Sequence, residues 1–373
     1  MARYQLLKFR LQLLVSWLTR GWVGCRVVLL QQVFTLQVII ALLLSVTVSD
    51  ALHLAYPGWA ALSSFAVMSL AVRASLTRAG HRIVGTFIGG GVALILTPIL
   101  AANPYLLILF CACCGGVVVW IAVASSRAYA WILGVVTAMM VLAEAQTVND
   151  TQALFSFALE RLEEVMIGCA LCVFTVLLFH PLNDVQPGSA PHQDLPESKI
   201  SSSLRLQLAI LAGITLALVA SILLKFSMAG FWQAMVSVLA ILILPNTNQD
   251  RTSLVKQRMQ QRFAGCFIAA VLSLLLLPLL RGSPSFYIIT LTAGLWLGSH
   301  LQQKKPDVSY LGRQFTIAWI IVFIQDQLWL ADVKIGVIRC LSILLAVTIL
   351  ALVMVVGDYV VKNLLKQAID PDP

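Results

Sequence analysis

The chain has 373 residues, 60% hydrophobic and 11% charged, with a mean hydropathy of +0.92 and a formal net charge of +9. Soluble domains carry about 25% charged residues, so this composition excludes a soluble globular enzyme, a disordered chain and a peripheral protein with one anchor. Twelve spanning helices of roughly 20 residues each would use most of the length and leave no room for a sizeable aqueous domain.

In chain order, residues 1–26 read as an interfacial amphipathic segment. Leu7, Leu11, Leu14 and Leu18 share one helical face, Lys8, Gln12, Ser16 and Thr19 share another, and Trp17 and Trp22 serve as anchors. Apolar runs then fall at 27–49, 51–72, 82–101, 105–125, 128–143 and 160–180, a first six-helix block over 27–180. Residues 181–203 are rich in Pro and Ser and form a linker too short to fold alone. A second six-helix block, 204–358, holds runs at 204–224, 230–244, 263–280, 285–303, 312–330 and 335–358, followed by a tail, 359–373. The runs 128–143 and 230–244 are short, which leaves tilted, thin or partly re-entrant helices open.

Charge tests the count. With a cytoplasmic N-terminus and twelve spans, 20 of the 25 Lys and Arg fall on the cytoplasmic side. Only Arg161, Lys225, Arg281, Lys334 and Arg339 fall on the other. Losing one span would flip every later loop and scramble this positive-inside asymmetry. The expected fold is therefore all-α and integral to the membrane, with about twelve transmembrane helices and both termini and the linker cytoplasmic. No basic stretch is interleaved with aromatics, so the positive charge does not point to nucleic acid.

The halves resemble each other. At an offset of 180, Arg78, Arg82, Gly85, Phe87, Pro98 and Pro104 fall on Arg258, Arg262, Gly265, Phe267, Pro278 and Pro284, among 10 identities in 27 ungapped positions. Trp59 and Trp232 correspond at an offset of 173. Six spans per half bring the second half into the membrane in the orientation of the first. The repeat is then parallel, with a site on its axis built from equivalent helices. Gly85 and Gly89 form a GxxxG pattern, matched by Gly265 and Ala269, which lets a second backbone approach closely. A flexible helix beside a substrate path is the rival reading, and a homodimer seam on this glycine-rich helix is a further expectation.

The motif Arg82-x-x-Gly85-Thr86-x-x-Gly89, the Trp59 before it, and Arg161-Leu-Glu-Glu164-Val-Met-Ile-Gly168 running to Phe179-His-Pro181 carry a resemblance. In these stretches the chain resembles the fusaric acid resistance / aromatic acid exporter family of bacterial inner-membrane proteins. The resemblance implies proton-driven export of aromatic or other amphipathic carboxylates.

No phosphate-binding loop is present, because Gly85–Gly91 lacks the Lys-Ser/Thr that would hold phosphate and magnesium. No hydrolase or zinc-protease signature appears either. The eight cysteines lie almost all in apolar runs and read as small hydrophobes, so neither a metal site nor a cofactor is expected. Ionisable groups at membrane depth are costly and are the first functional suspects. Arg161 and Arg339, 178 residues apart, open the last span of each half and could bind a substrate carboxylate. They could equally sit among outer headgroups or pair with Glu160, Glu163 or Asp332. Glu164, with Glu144 and Asp326 behind it, could carry a coupled proton, or each could be a surface carboxylate. Trp59 and Trp232 could stack an aromatic ring or fill the core, and His53 is the one histidine placed for a relay. Arg78, Arg82, Arg258 and Arg262 read as anchors at the cytoplasmic ends of their helices.

The leading expectation is a secondary efflux transporter of aromatic or amphipathic organic acids, not an enzyme, whose partners are the lipid bilayer, a small organic anion and a periplasmic adaptor protein. A passive organic-anion channel and a non-transporting membrane subunit of a larger complex are the alternatives.

Overall fold

The computed structural model describes residues 32–148, 150–180, 202–226, 232–242, 251–280, 284–304, 306–324 and 333–369. The amphipathic segment 1–26 and nearly all of the linker lie outside them. The described residues form twelve α-helices and no strand. The first six are α1 (Gln32–Ala51), α2 (Pro57–Val67), α3 (Val72–Leu100), α4 (Pro104–Ala122), α5 (Ala128–Glu144) and α6 (Thr151–Leu178). The others are α7 (Ser202–Lys225), α8 (Gln233–Leu242), α9 (Arg251–Leu276), α10 (Pro284–Lys304), α11 (Pro306–Phe323) and α12 (Val333–Ile369).

Six of these, α1, α3, α4, α7, α9 and α12, contain stretches long and apolar enough to cross a bilayer. The rest fall short for visible reasons. Helix α6 is 28 residues long but carries Glu160, Arg161, Glu163 and Glu164 along its middle. Helices α2 and α8 have only 11 and 10 residues, about 15 Å at 1.5 Å per residue, half of a hydrocarbon core.

The run 51–72 is thus a short helix between two breaks. Tyr56 is non-helical, Pro57 takes the first helical position where its missing N–H costs nothing, and Met68 turns out of the helix at ψ 129°. Side chains of α3 take up the carbonyls this break leaves. Arg78 Nη1 donates to the Met68 carbonyl at 3.3 Å and Ser75 Oγ to the Ser69 carbonyl at 3.1 Å. His53, expected inside this span, lies exposed in the turn after α1 at φ 54° and is no buried relay.

Several helices start well before their apolar runs. Helices α3, α6 and α9 begin at Val72, Thr151 and Arg251, where hydropathy placed 82, 160 and 263. At its other end α12 continues to Ile369, through most of the tail assigned to 359–373. A charged side chain interrupts an apolar run without interrupting the backbone hydrogen bonds of a helix. The consequence is that Arg82, Arg161, Arg262 and Arg339 lie within helices.

The pairings recur between the halves. Helix α2 packs on α6 and α8 on α12, α3 packs on α5 and α6, and α9 on α11 and α12. Between the halves, α4 packs on α7, where an added Cβ at Gly116 would meet the Ala209 carbonyl at 3.0 Å and one at Gly213 the Ala112 carbonyl at 3.1 Å. The GxxxG helix is used inside the chain as well. A Cβ at Gly85 would meet the Ala130 carbonyl at 2.6 Å, and one at Gly89 would collide with the Gly134 carbonyl. This face of α3 is covered by α5 of the same chain, so it provides no seam for a second copy. Gly265 meets the Leu311 carbonyl of α11 in the same way.

Candidate functional site

The short helices leave a cavity of about 550 Å³ lined from both halves, within the range of small-molecule sites. Its two ends are cationic and its middle is apolar, with Leu62, Val136, Met140, Val236, Ile317 and Ile321 between them.

At one end, Trp59 of α2 and Trp232 beside α8 stack on each other, ring centroids 5.9 Å apart at 28°. Arg161 lies 4.3 Å over the Trp59 ring, 4.5 Å over Tyr56 and 4.8 Å over Phe157. Its Nη1 donates to Glu164 Oε2 at 3.2 Å, the sole ion pair among the described residues. Glu164 has no exposed surface, and its other oxygen accepts the Tyr56 N–H at 2.9 Å. Helix α6 begins ten residues before Arg161, about 15 Å along the axis, so the pair is interior and not at a surface. Arg339 of α12 lines the same end, 7% exposed, with Nη1 donating to Gln233 Oε1 at 2.8 Å. Glu144 at the end of α5 also faces the cavity.

At the opposite end stand Arg82, Arg258, Arg262 and Arg313. Arg82 donates from Nε to Ser63 Oγ at 3.0 Å and from Nη1 to Tyr129 Oη at 3.2 Å. Arg262 donates from Nη1 to Tyr310 Oη at 3.3 Å and to Gln314 Oε1 at 3.0 Å. Arg258 reaches the Ala240 carbonyl in the last turn of α8 at 3.4 Å, as Arg78 reaches Met68 at the end of α2. Arg82 and Arg262, 8% and 4% exposed, are interior cross-links between helices and not anchors in a headgroup layer.

The structure therefore gathers Arg161, Arg339, Trp59, Trp232, Glu144, Arg82 and Arg262 around one cavity, with Glu164 behind Arg161. Gly85, Gly89 and Gly265 serve packing, and Thr86 is buried on the same helix. Asp326 lies outside the described residues. Sequence reasoning missed Tyr129, Tyr310, Gln314, Gln233, Tyr56 and Phe157. Tyr129 and Tyr310 had a signal, since they stand 47 and 48 residues after the arginines that they accept from. The glutamines are matched by Leu133 and Ala60 at the same offsets and had none.

These features define a multi-pass membrane protein with a cavity edged by guanidinium groups and indole rings. Residues 41–175 match the family described as fusaric acid resistance protein-like, the family that the motifs resembled. Over 102 residues, 27% of this chain, it is 38% identical to the protein named p-hydroxybenzoic acid efflux pump subunit AaeB from Salmonella arizonae. The same figures hold for the proteins of that name from Salmonella paratyphi B and Salmonella newport. The chain spans 15% of the length of these curated relatives. No solved structure matches it. Together with the apolar helices, these likenesses place the chain among multi-pass proteins of the bacterial inner membrane.

Proposed function

We propose that the chain is a secondary efflux transporter of aromatic or amphipathic organic acids, a carrier and not a catalyst, built as two parallel six-helix repeats with both termini cytoplasmic. The observation that carries this reading is the cavity shared by the halves, in which guanidinium groups at both ends flank an apolar middle. Such a lining suits a ligand with a carboxylate and an apolar body. A guanidinium binds a carboxylate through charge-assisted hydrogen bonds, and indole rings offer faces to an aromatic one. The likeness to a subunit named for p-hydroxybenzoic acid efflux agrees with that ligand class. The word subunit in that name motivates a periplasmic adaptor as partner.

The Arg161–Glu164 pair suggests how a proton could be coupled. A proton taken up by Glu164 would remove the charge facing Arg161, and a substrate carboxylate could then take its place. Glu144 on the cavity wall is the second candidate for the proton, and Asp326 the third.

The test is uptake of labelled p-hydroxybenzoate into inverted membrane vesicles, with and without a proton gradient. The expected outcome is accumulation above equilibrium that a protonophore collapses, and that Glu164→Gln uncouples. Equilibration that ignores the protonophore would instead identify a passive anion channel. No flux with any of a panel of aromatic acids would leave the non-transporting subunit.

A further inference from the structure

We infer that Arg339 holds the carboxylate of the incoming anion in the place that Glu164 occupies beside Arg161. The inference rests on the reading of the cavity as a substrate site and assigns that site its anion-binding half.

The offset of 178 that puts Arg161 on Arg339 also puts Glu164 on Ser342. Acid and serine each stand three residues after their arginine, on the same face of the helix, and neither has exposed surface. In the first half the arginine meets a carboxylate that belongs to the chain, held in turn by the Tyr56 N–H just before α2. In the second half the corresponding hydroxyl turns back onto its own helix, Ser342 Oγ donating to the Ile338 carbonyl at 2.7 Å. No carboxylate among the described residues lies within 4 Å of Arg339.

Gln233, the first residue of α8, supplies an amide oxygen to Arg339 Nη1. It satisfies one N–H and brings no counter-charge. Arg339 Nε is buried without a hydrogen-bond partner. An interior guanidinium in this state is costly unless a counter-charge arrives. Its position on the cavity wall means that the counter-charge can come from the cavity. The first half thus shows the site filled by an internal acid, and the second half shows it open to a ligand. The ligand class is a monocarboxylate whose apolar body lies along Val236, Ile321 and Ile324.

The experiment is equilibrium dialysis of the detergent-purified full chain with labelled p-hydroxybenzoate, and with its uncharged amide. The acid is expected to bind with one site per chain, and the amide at least tenfold more weakly. Arg339→Gln should weaken the acid at least tenfold, and Arg339→Lys less. Ser342→Glu, which plants a carboxylate three residues from Arg339, should bind the acid at least tenfold more weakly than the uncharged Ser342→Gln of equal length. Equal affinity for acid and amide overturns the inference without any variant, so a substitution that fails to fold does not shield it. Equal acid affinity in Ser342→Glu and Ser342→Gln overturns it too. Binding is read here and flux is not. Selective binding by a protein that moves no acid would sink the exporter reading alone, and transport indifferent to Arg339→Gln would sink this one alone.

Discussion

Arg82 and Arg262 are interior charges that face no carboxylate among the described residues within 4 Å. Each instead donates to two neutral acceptors: Ser63 of α2 and Tyr129 of α5 for Arg82, Tyr310 and Gln314 of α11 for Arg262. Hydrogen bonds to charged groups are worth about 1.5–3 kcal/mol each. Tyr129→Phe and Tyr310→Phe each delete one such bond and keep the ring. Each should cost about 1–2 kcal/mol at these long distances and lower the thermal midpoint of the detergent-solubilised protein by a few degrees. An unchanged midpoint in both would show that the tyrosines do not hold the arginines. The arginines themselves were legible in the sequence as repeat mates, but their role was misread. A motif at the edge of an apolar run looks like a headgroup anchor. Only the early start of α3 and α9 shows that the same residues are a turn or more inside the helix.

At the scale of helices, the recurring pairings include close backbone contacts that the glycines permit. Helix α3 approaches α5 where Gly89 faces Gly134, and nothing lies within 4 Å of a Cβ at Gly91 two residues further on. Overpacking a tight contact costs about 1–3 kcal/mol, and backbone atoms cannot step aside as a side-chain tip can. Gly89→Val should therefore lower the thermal midpoint and the yield of folded protein, while Gly91→Val leaves both near those of the parent chain. Equal effects would mean that the two helices are not in contact along this face. The pattern was readable because GxxxG states only that something must come close. What it could not state is which helix comes close, and a seam for a second copy was as consistent with it as α5 is. The short α2 and α8 were read more dimly. The break after α2 leaves no composition signal, because the residues that satisfy its carbonyls, Ser75 and Arg78, belong to the next helix.

For the whole molecule, charge bears on how the twelve helices of the described residues, six of them not both long and apolar enough to span by themselves, are threaded through a bilayer. We propose that charge sets the path. Cationic loops are retained on the cytoplasmic side during insertion, and an alternating path of twelve passes puts 20 of the 25 Lys and Arg there. A path in which α2 or α8 entered and left by the same face would have an odd number of passes in that half. The segment 181–203 would then lie opposite one of the two termini, with Lys199 in it and Arg205 beside it. The 11- and 10-residue lengths make that alternative physical, since neither helix alone crosses 30 Å of hydrocarbon. The flanking backbone must do the rest, and Arg78 and Arg258 hold carbonyls at the ends of the two short helices. Reporter fusions separate the two paths. An alkaline phosphatase joined after residue 190 or after residue 369 should stay inactive, and a fluorescent protein at the same points should fold and emit. Phosphatase activity at both points would mean that α2 enters and leaves by the same face, and activity at residue 369 with none at residue 190 that α8 does. In the second case Arg161 and Arg339 would lie toward opposite sides of the membrane, a placement incompatible with the single cavity that both line.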